Sequence, residues 1–482
     1  MTQHDRTDPQ EHPLDLPATT IAAGIKSRSF SAEDVVGESL RRAKVLQERL
    51  NPFTLISEQR ALGAARRTDQ AIARGEKTGD LAGVPFAAKD LTPTAGDLTT
   101  RGSWSTGDWV PDETALCIRR LEAAGAILIG KTTTPEFAYS SFTQSLRWGV
   151  TGNPWDPTRT SGGSSGGSAV AVAGGAVPLA EGSDMGGSVR IPAAFCGAVG
   201  LKPSLGRIPM TILPSVFDNI SHFGPLARTV EDAIAFMAAT SGSSDEDIMS
   251  LPLGFDAAKA RRGADRTTLA GRRFALSIDL GFYAVEPAVE ASIRAVVEQI
   301  RAAGAVVDEV PLHWTRAVND QWSDIWGVFM SAYFGDALKT YRARMDPAVV
   351  GLIEHGLAMD ATHYKRTELL RSSMWHDLAA LFKTYDALLC PTCAVVAPSV
   401  TETDDDFMVT LPDGRFKGLD MTCPFNLLPQ CPALSLPVGM TPEHLPVGLQ
   451  VIGHRYADED VLAIGAAVEQ LVGKAARPPL RR

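Results

Sequence analysis

Apolar positions along the chain recur first at helical spacing. Val35, Val36, Leu40, Ala43, Leu46 and Leu50 share one helical face. Ser31, followed by Ala32-Glu33-Asp34, puts a hydroxyl at the helix start and acids in its first turn. A second helix is predicted over about 58–74. From about residue 83 the texture changes to short apolar runs between helical stretches. Gly83–Asp90 is an apolar run ending in charge, 112–124 reads as a helix, and Ala126–Ile129 as a buried strand. Further on come a strand at Phe274–Ile278, a helix near 286–302, a strand at Val306–Val310, helical texture over 315–385, strands at Ala433–Val438 and Pro446–Ile452, and a closing helix near 458–472. Helix and short apolar strand in alternation predict an α/β fold whose sheet is covered on both faces. Residues 1–18 read as a flexible tail, 19–80 as a helical cover, and the polar stretch 241–268 as a surface excursion.

Composition narrows this picture. Hydrophobic residues make up 44% of the 482 and charged residues 21%, which excludes a disordered or fibrous chain. No run of about 18 apolar residues appears and the polar start has no secretory core, so a cytoplasmic protein without membrane contact is expected. A net charge of -10 argues against nucleic acid as a partner. The six cysteines are too few for a disulfide framework, and Cys390, Cys393, Cys423 and Cys431 have the wrong spacing for a zinc ribbon, so no metal or cofactor is expected.

Three motifs compete for the chemistry. Gly125-Ala126-Ile127-Leu128-Ile129-Gly130-Lys131-Thr132 has the letters of a phosphate-binding loop, but its four middle residues form an apolar strand where a loop of exposed N–H groups is needed. Gly162-Gly163-Ser164-Ser165-Gly166 matches the nucleophile elbow of a Ser-His-acid enzyme, but a loop, not a strand, precedes it, and no downstream histidine sits in a motif that marks a base. The third is the whole segment 162–188. Nine of the 43 glycines fall within 162–187, where average usage gives about two. Ala169–Ala173 and Val177–Ala180 interrupt them, so the glycines mark two turns beside buried elements rather than a linker. The second turn, Ser183-Asp184-Met185-Gly186-Gly187-Ser188, presents successive N–H groups beside a hydroxyl, the construction of an oxyanion hole.

With these segments in place the chain resembles the amidase signature family. The matching stretches are Gly83–Asp90, Gly130-Lys131-Thr132 with Glu136-Phe137, Asn153-Pro154-Trp155, Gly162–Ser168, Asp184–Arg190, Phe195-Cys196-Gly197, Gly200–Pro203, Gly224–Arg228 and Pro446–Gln450, in family order from about 80 to 455. The resemblance implies one compact α/β/α unit around a large mixed sheet, spanning 81–475, that hydrolyses or transfers an amide acyl group. It implies Ser188 as nucleophile, Ser164 as bridging serine after a cis Gly163–Ser164 bond, and Lys89 as base. The N–H groups of Met185, Gly186, Gly187 and Ser188 would face the oxyanion, and Ser165, Asp184 and Arg190 would hold the loop. An alcohol needs a neighbour to take its proton, and a lysine can do so only when burial makes it neutral.

Substrate is read less directly. Trp322, Trp326, Phe329, Met330 and Tyr333 share one helical face, and Phe137, Tyr139, Phe142 and Trp148 lie just before the first serine loop. Both sets serve either as core or as an apolar wall. Phe137, Tyr139, Trp148, Trp322 and Trp326 are the candidate pocket, and the expected partner is a small-molecule amide with an apolar or aromatic group, with homodimerisation left open. The alternative within the family is the amidotransferase component, its A subunit, that acts on misacylated tRNA.

Overall fold

A computed structural model describes residues 12–262, 266–473 and 476–479. The first eleven positions of the expected tail lie outside the described residues. The rest of that tail is not free: Pro13–Asp15 forms a 3-10 turn, Leu14 is fully buried, and the helix Ala18–Lys26 begins with the Ala18 N–H donating to Asp232 Oδ1 at 2.6 Å.

Eleven strands form one mixed sheet. In spatial order they are Phe53–Ile56, Ile127–Thr132, Pro85–Lys89, Leu179–Asp184, His222–Ala227, Val199–Lys202, Ala433–Met440, Pro446–Gly453, Ala387–Pro391, Arg273–Leu276 and Val306–Glu309. Pro85–Lys89 runs parallel to both its neighbours. The inner strands, among them Pro85–Lys89, Ile127–Thr132, Leu179–Asp184 and Pro446–Gly453, are buried at every position rather than at alternate ones. Both faces are therefore covered, which makes this the expected α/β/α arrangement. Helices Gly166–Ala173, Arg190–Cys196, Val230–Thr240, Pro287–Ala302 and Asp458–Val472 pack around the sheet.

The segment 19–80 holds the two expected helices, at Ala32–Leu50, capped by Ser31, and at Glu58–Ala73. It is more than a cover, because between them Phe53–Ile56 pairs antiparallel with Ile127–Thr132 and forms an edge of the sheet. One continuous core runs from Leu14 through to Val468. Strands Val199–Lys202, His222–Ala227 and Ala387–Pro391 were not expected from the sequence; all three are short, glycine or proline interrupts the first two, and the third directly follows the long helical stretch and ends in proline. Among the described residues no helix is long and apolar enough to cross a membrane.

Candidate active site

Lys89 ends the third strand of the sheet, counted from the Phe53–Ile56 edge. The parallel register Ala87 to Ala180 sets it beside residues 181–183 of the neighbouring strand. Its backbone N–H donates to Glu181 Oε2 at 2.9 Å, and Glu181 Oε1 accepts from the Thr92 hydroxyl at 3.0 Å. Its ammonium nitrogen reaches the Ser164 hydroxyl at 2.6 Å and the Ser183 hydroxyl at 3.0 Å. Lys89, Ser164 and Glu181 are fully buried. Burial pulls Lys89 down to about 7, against the opposing charges of Glu181 and Asp184, and burial raises Glu181.

Ser164 follows a cis peptide bond from Gly163. The loop can take this path because its glycines sit where a side chain has no room. A Cβ on Gly163 would lie 2.6 Å from the Ser140 carbonyl oxygen, and Gly162 has φ +75 with Pro192 Cα 2.8 Å from its Cβ position. The Ser165 hydroxyl turns back to the Ser183 carbonyl at 3.3 Å, tying the two serine loops together, and the Ser165 N–H donates to the Ser188 carbonyl at 3.1 Å.

Ser188 stands half-buried on the cavity that Ser164 and Ser183 also line. Its hydroxyl makes no hydrogen bond among the described residues, so the Lys89–Ser164 link is formed while a Ser164–Ser188 link is not. Asp184 and Arg190 brace the loop from beneath, both fully buried. Asp184 Oδ1 accepts from the Gly187 N–H (2.9 Å), Arg190 Nη2 (2.8 Å) and Asn426 Nδ2 (2.9 Å), and Oδ2 from the Val189 N–H and Arg190 Nε. Burial would raise this carboxyl, but the Arg190 charge and hydrogen bonds outweigh it and hold Asp184 well below the usual carboxylate range. Arg190 also reaches the Thr422 carbonyl and Gln450 Oε1. Of the four N–H groups expected to face an oxyanion, those of Met185, Gly186 and Ser188 find no acceptor among the described residues, whereas Gly187 is spent on Asp184.

The cavity above Ser188 has a volume of about 780 Å³. Phe137, Tyr139, Trp322 and Trp326 line it together with Phe329 and Phe334. Phe137 and Ala138 take positive φ, and the Phe137 ring stacks on Phe334 at 4.1 Å. Trp148 does not line the cavity: its indole donates to Thr100 Oγ1 at 2.8 Å, and Arg147 stacks over its ring. Phe142 is buried in a separate core cluster, and Trp314 packs on Phe425 in another. Asp404 and Asp420 line the wall opposite in character, polar rather than aromatic, and burial raises both carboxyls.

The two rival motifs have other duties. Lys131 lies on a buried strand, with its amine on the Thr92 carbonyl at 2.6 Å and the Thr99 hydroxyl at 2.9 Å, out of reach of a phosphate. His222, the nearest histidine in sequence to the second loop, holds its ring between the Asp184 and Pro429 carbonyls, and no histidine touches Ser164 among the described residues. All six cysteines are buried free thiols. Glu181, Ser183, Asn426 and Thr422 escaped the sequence reading as site residues.

The family model for amidases matches residues 34–462. An acylamidase of Rhodococcus erythropolis is 34% identical over 94% of this chain and 95% of its own. The A subunit of the glutamyl-tRNA(Gln) amidotransferase of Salinispora arenicola is also 34% identical, over 96% and 99%. Among solved structures, a bacterial aryl acylamidase of the amidase signature enzymes superposes with a TM-score of 0.86 at 27% identity, covering 95% of this chain and 96% of that one.

Proposed function

The chain belongs to the amidase signature family, and from that premise we propose that it cleaves a carboxylic amide through an acyl-enzyme on Ser188, with Lys89 as base and Ser164 as the relay between them. The observation that carries this reading is the 2.6 Å contact between a buried lysine, lowered to about 7, and a hydroxyl on the same cavity as Ser188. Neutral Lys89 takes the Ser164 proton as Ser164 takes that of Ser188, once the Ser188 hydroxyl turns toward it. The Ser188 oxygen adds to the amide carbon, and the oxyanion falls to the N–H groups of Met185, Gly186 and Ser188. The relay then runs backward and protonates the leaving nitrogen, which departs poorly as an anion. Water repeats the sequence on the ester and frees the acid.

The aromatic wall of Phe137, Trp322, Trp326 and Phe329 favours a small amide with an apolar or aryl group. The acylamidase relatives support this choice. The tRNA-dependent amidotransferases, equally close in sequence, support a second reading in which glutamine is the amide and partner subunits take the ammonia. Intact-mass detection of an acyl adduct on Ser188 across aliphatic, aryl and glutamine amides decides between them. An adduct from aryl or alkyl amides in the isolated chain is expected. Hydrolysis by Ser188→Ala at the wild-type rate would sink the assignment.

A further inference from the structure

The helix Ala317–Phe334 does more than wall the cavity. Trp322, half-buried on it, donates its indole N–H to the Met185 carbonyl at 3.0 Å, and its ring lies directly against Gly186, leaving no room for a Cβ there. Indole nitrogen is a donor only, and this one has a single acceptor. The Met185–Gly186 peptide is trans, so its C=O and N–H point in opposite directions. Pinning the carbonyl to the helix therefore fixes where the Gly186 N–H points.

The other restraints on this loop are shared or spent. The Gly186 carbonyl accepts from the Thr422 hydroxyl, but that hydroxyl has one proton and a second acceptor in Asp420 Oδ1. The Gly187 N–H belongs to Asp184. One turn along the helix, Trp326 repeats the device: its indole donates to the Tyr139 carbonyl at 3.3 Å, in the loop whose next residues crowd Gly163. The two indoles are four residues apart, face the same side and stack at 6.0 Å. Both rings line the cavity.

We propose that Trp322 is a positioning residue: its N–H holds the Met185–Gly186 peptide so that the Gly186 N–H meets the oxyanion, and its ring is the surface on which an apolar substrate group packs. This rests on Ser188 being the nucleophile. The helix that reads the substrate then also sets the geometry of the reaction, and preference for an apolar group shows in the rate of acylation as well as in binding.

The test uses the full chain, p-nitrophenyl benzoate as acyl donor and phenylboronic acid as a tetrahedral mimic. In the latter the Ser188 oxygen bonds to boron and its proton passes to Lys89, leaving a boronate anion. Trp322→Phe keeps an aromatic ring and removes the N–H. It is expected to slow acylation and weaken phenylboronic acid by the same factor, about ten- to a hundredfold, while the saturation constant for the ester moves by less than about threefold. Trp322→His returns a ring N–H and is expected to recover part of the loss. A change confined to the saturation constant, or equal rates for the His and Phe variants, would overturn the proposal and leave Trp322 as wall alone. If the Phe variant does not fold, the His variant against wild type reads the same split between rate and saturation. Ser188→Ala separates the two layers: acylation persisting there removes the nucleophile reading itself, whereas its loss beside an unaffected Trp322→Phe removes only the clamp.

Discussion

Among the described residues three lysines are buried in the sheet, and the proposed base differs from the other two in its partners. Lys89 and Lys131 lie on adjacent parallel strands, one register step apart, and Lys202 ends a strand three places further across. Burial lowers all three, Lys89 and Lys202 to about 7 and Lys131 to about 8. Their partners differ. Lys202 donates to three carbonyls, those of Pro203, Pro429 and Cys431. Carbonyls only accept, so this cage suits the three N–H groups of an ammonium. Lys131 has one carbonyl, one hydroxyl and the Asp90 carboxylate at 3.9 Å. Lys89 meets two hydroxyls, and a hydroxyl can turn from accepting to donating when the amine loses its proton. Those hydroxyls line the cavity. Burial makes a lysine titratable near neutrality; partners that can reverse their hydrogen bonds make it useful.

The contrast can be broken most severely at the base itself. Lys89→Met and Ser188→Ala are each expected to lower kcat/KM by about 10⁴-fold or more with the fold intact. Residual activity near wild type in Lys89→Met would place the base elsewhere. Next comes the pH profile. With Lys89 as the proposed base, the neutral amine is the working form, so kcat/KM should climb through about pH 7 and fall tenfold for each unit below it. If that inflection survives Lys89→Met but vanishes in Lys202→Met, the comparison is reversed.

A smaller effect separates the structural lysines. The folded Lys202 loses its proton near 7, while the unfolded chain keeps it to about 10.4. Between those values the unfolded state binds more protons, so stability rises with pH. Lys202→Met should reduce that slope by about 1.4 kcal/mol per unit and leave the rate near wild type, as urea unfolding at pH 7.5, 8.5 and 9.5 would register. Least of all, Trp148→Phe should leave KM within about twofold, since its ring lies away from the cavity; a tenfold rise would put it back in the pocket.

The α/β fold was legible because helical and apolar periodicities alternate cleanly, and the loops of Ser164 and Ser188 because they are dense in glycine at unusual places; Lys89, in a segment with a single glycine, stood out only through the family resemblance of Gly83–Asp90. Two kinds of information were not in the local pattern. Glu181 and Ser183 join the site through strand register, since the Ala87–Ala180 pairing brings them beside Lys89 from 92 and 94 positions away. The aromatic residues were indistinguishable by composition. Trp148 and Tyr139 are nine positions apart, yet Tyr139 lines the cavity while the Trp148 indole is held away from it by Thr100. Strand His222–Ala227 hid behind Gly224 and Pro225, residues that argue against a central strand.

The edge strand Phe53–Ile56 bears on how this protein can be cut. A fragment beginning at residue 81 would look, by its motifs, like a whole catalytic unit. It would leave Ile127–Thr132 without its partner from 53–56 and strip the core of Leu40, Leu46 and Phe53. An unpaired, apolar strand edge is a template for the same edge on another molecule. The expected fate of such a fragment is self-association through that edge, so shortened versions meant for expression or display should keep the chain from Pro13 onward.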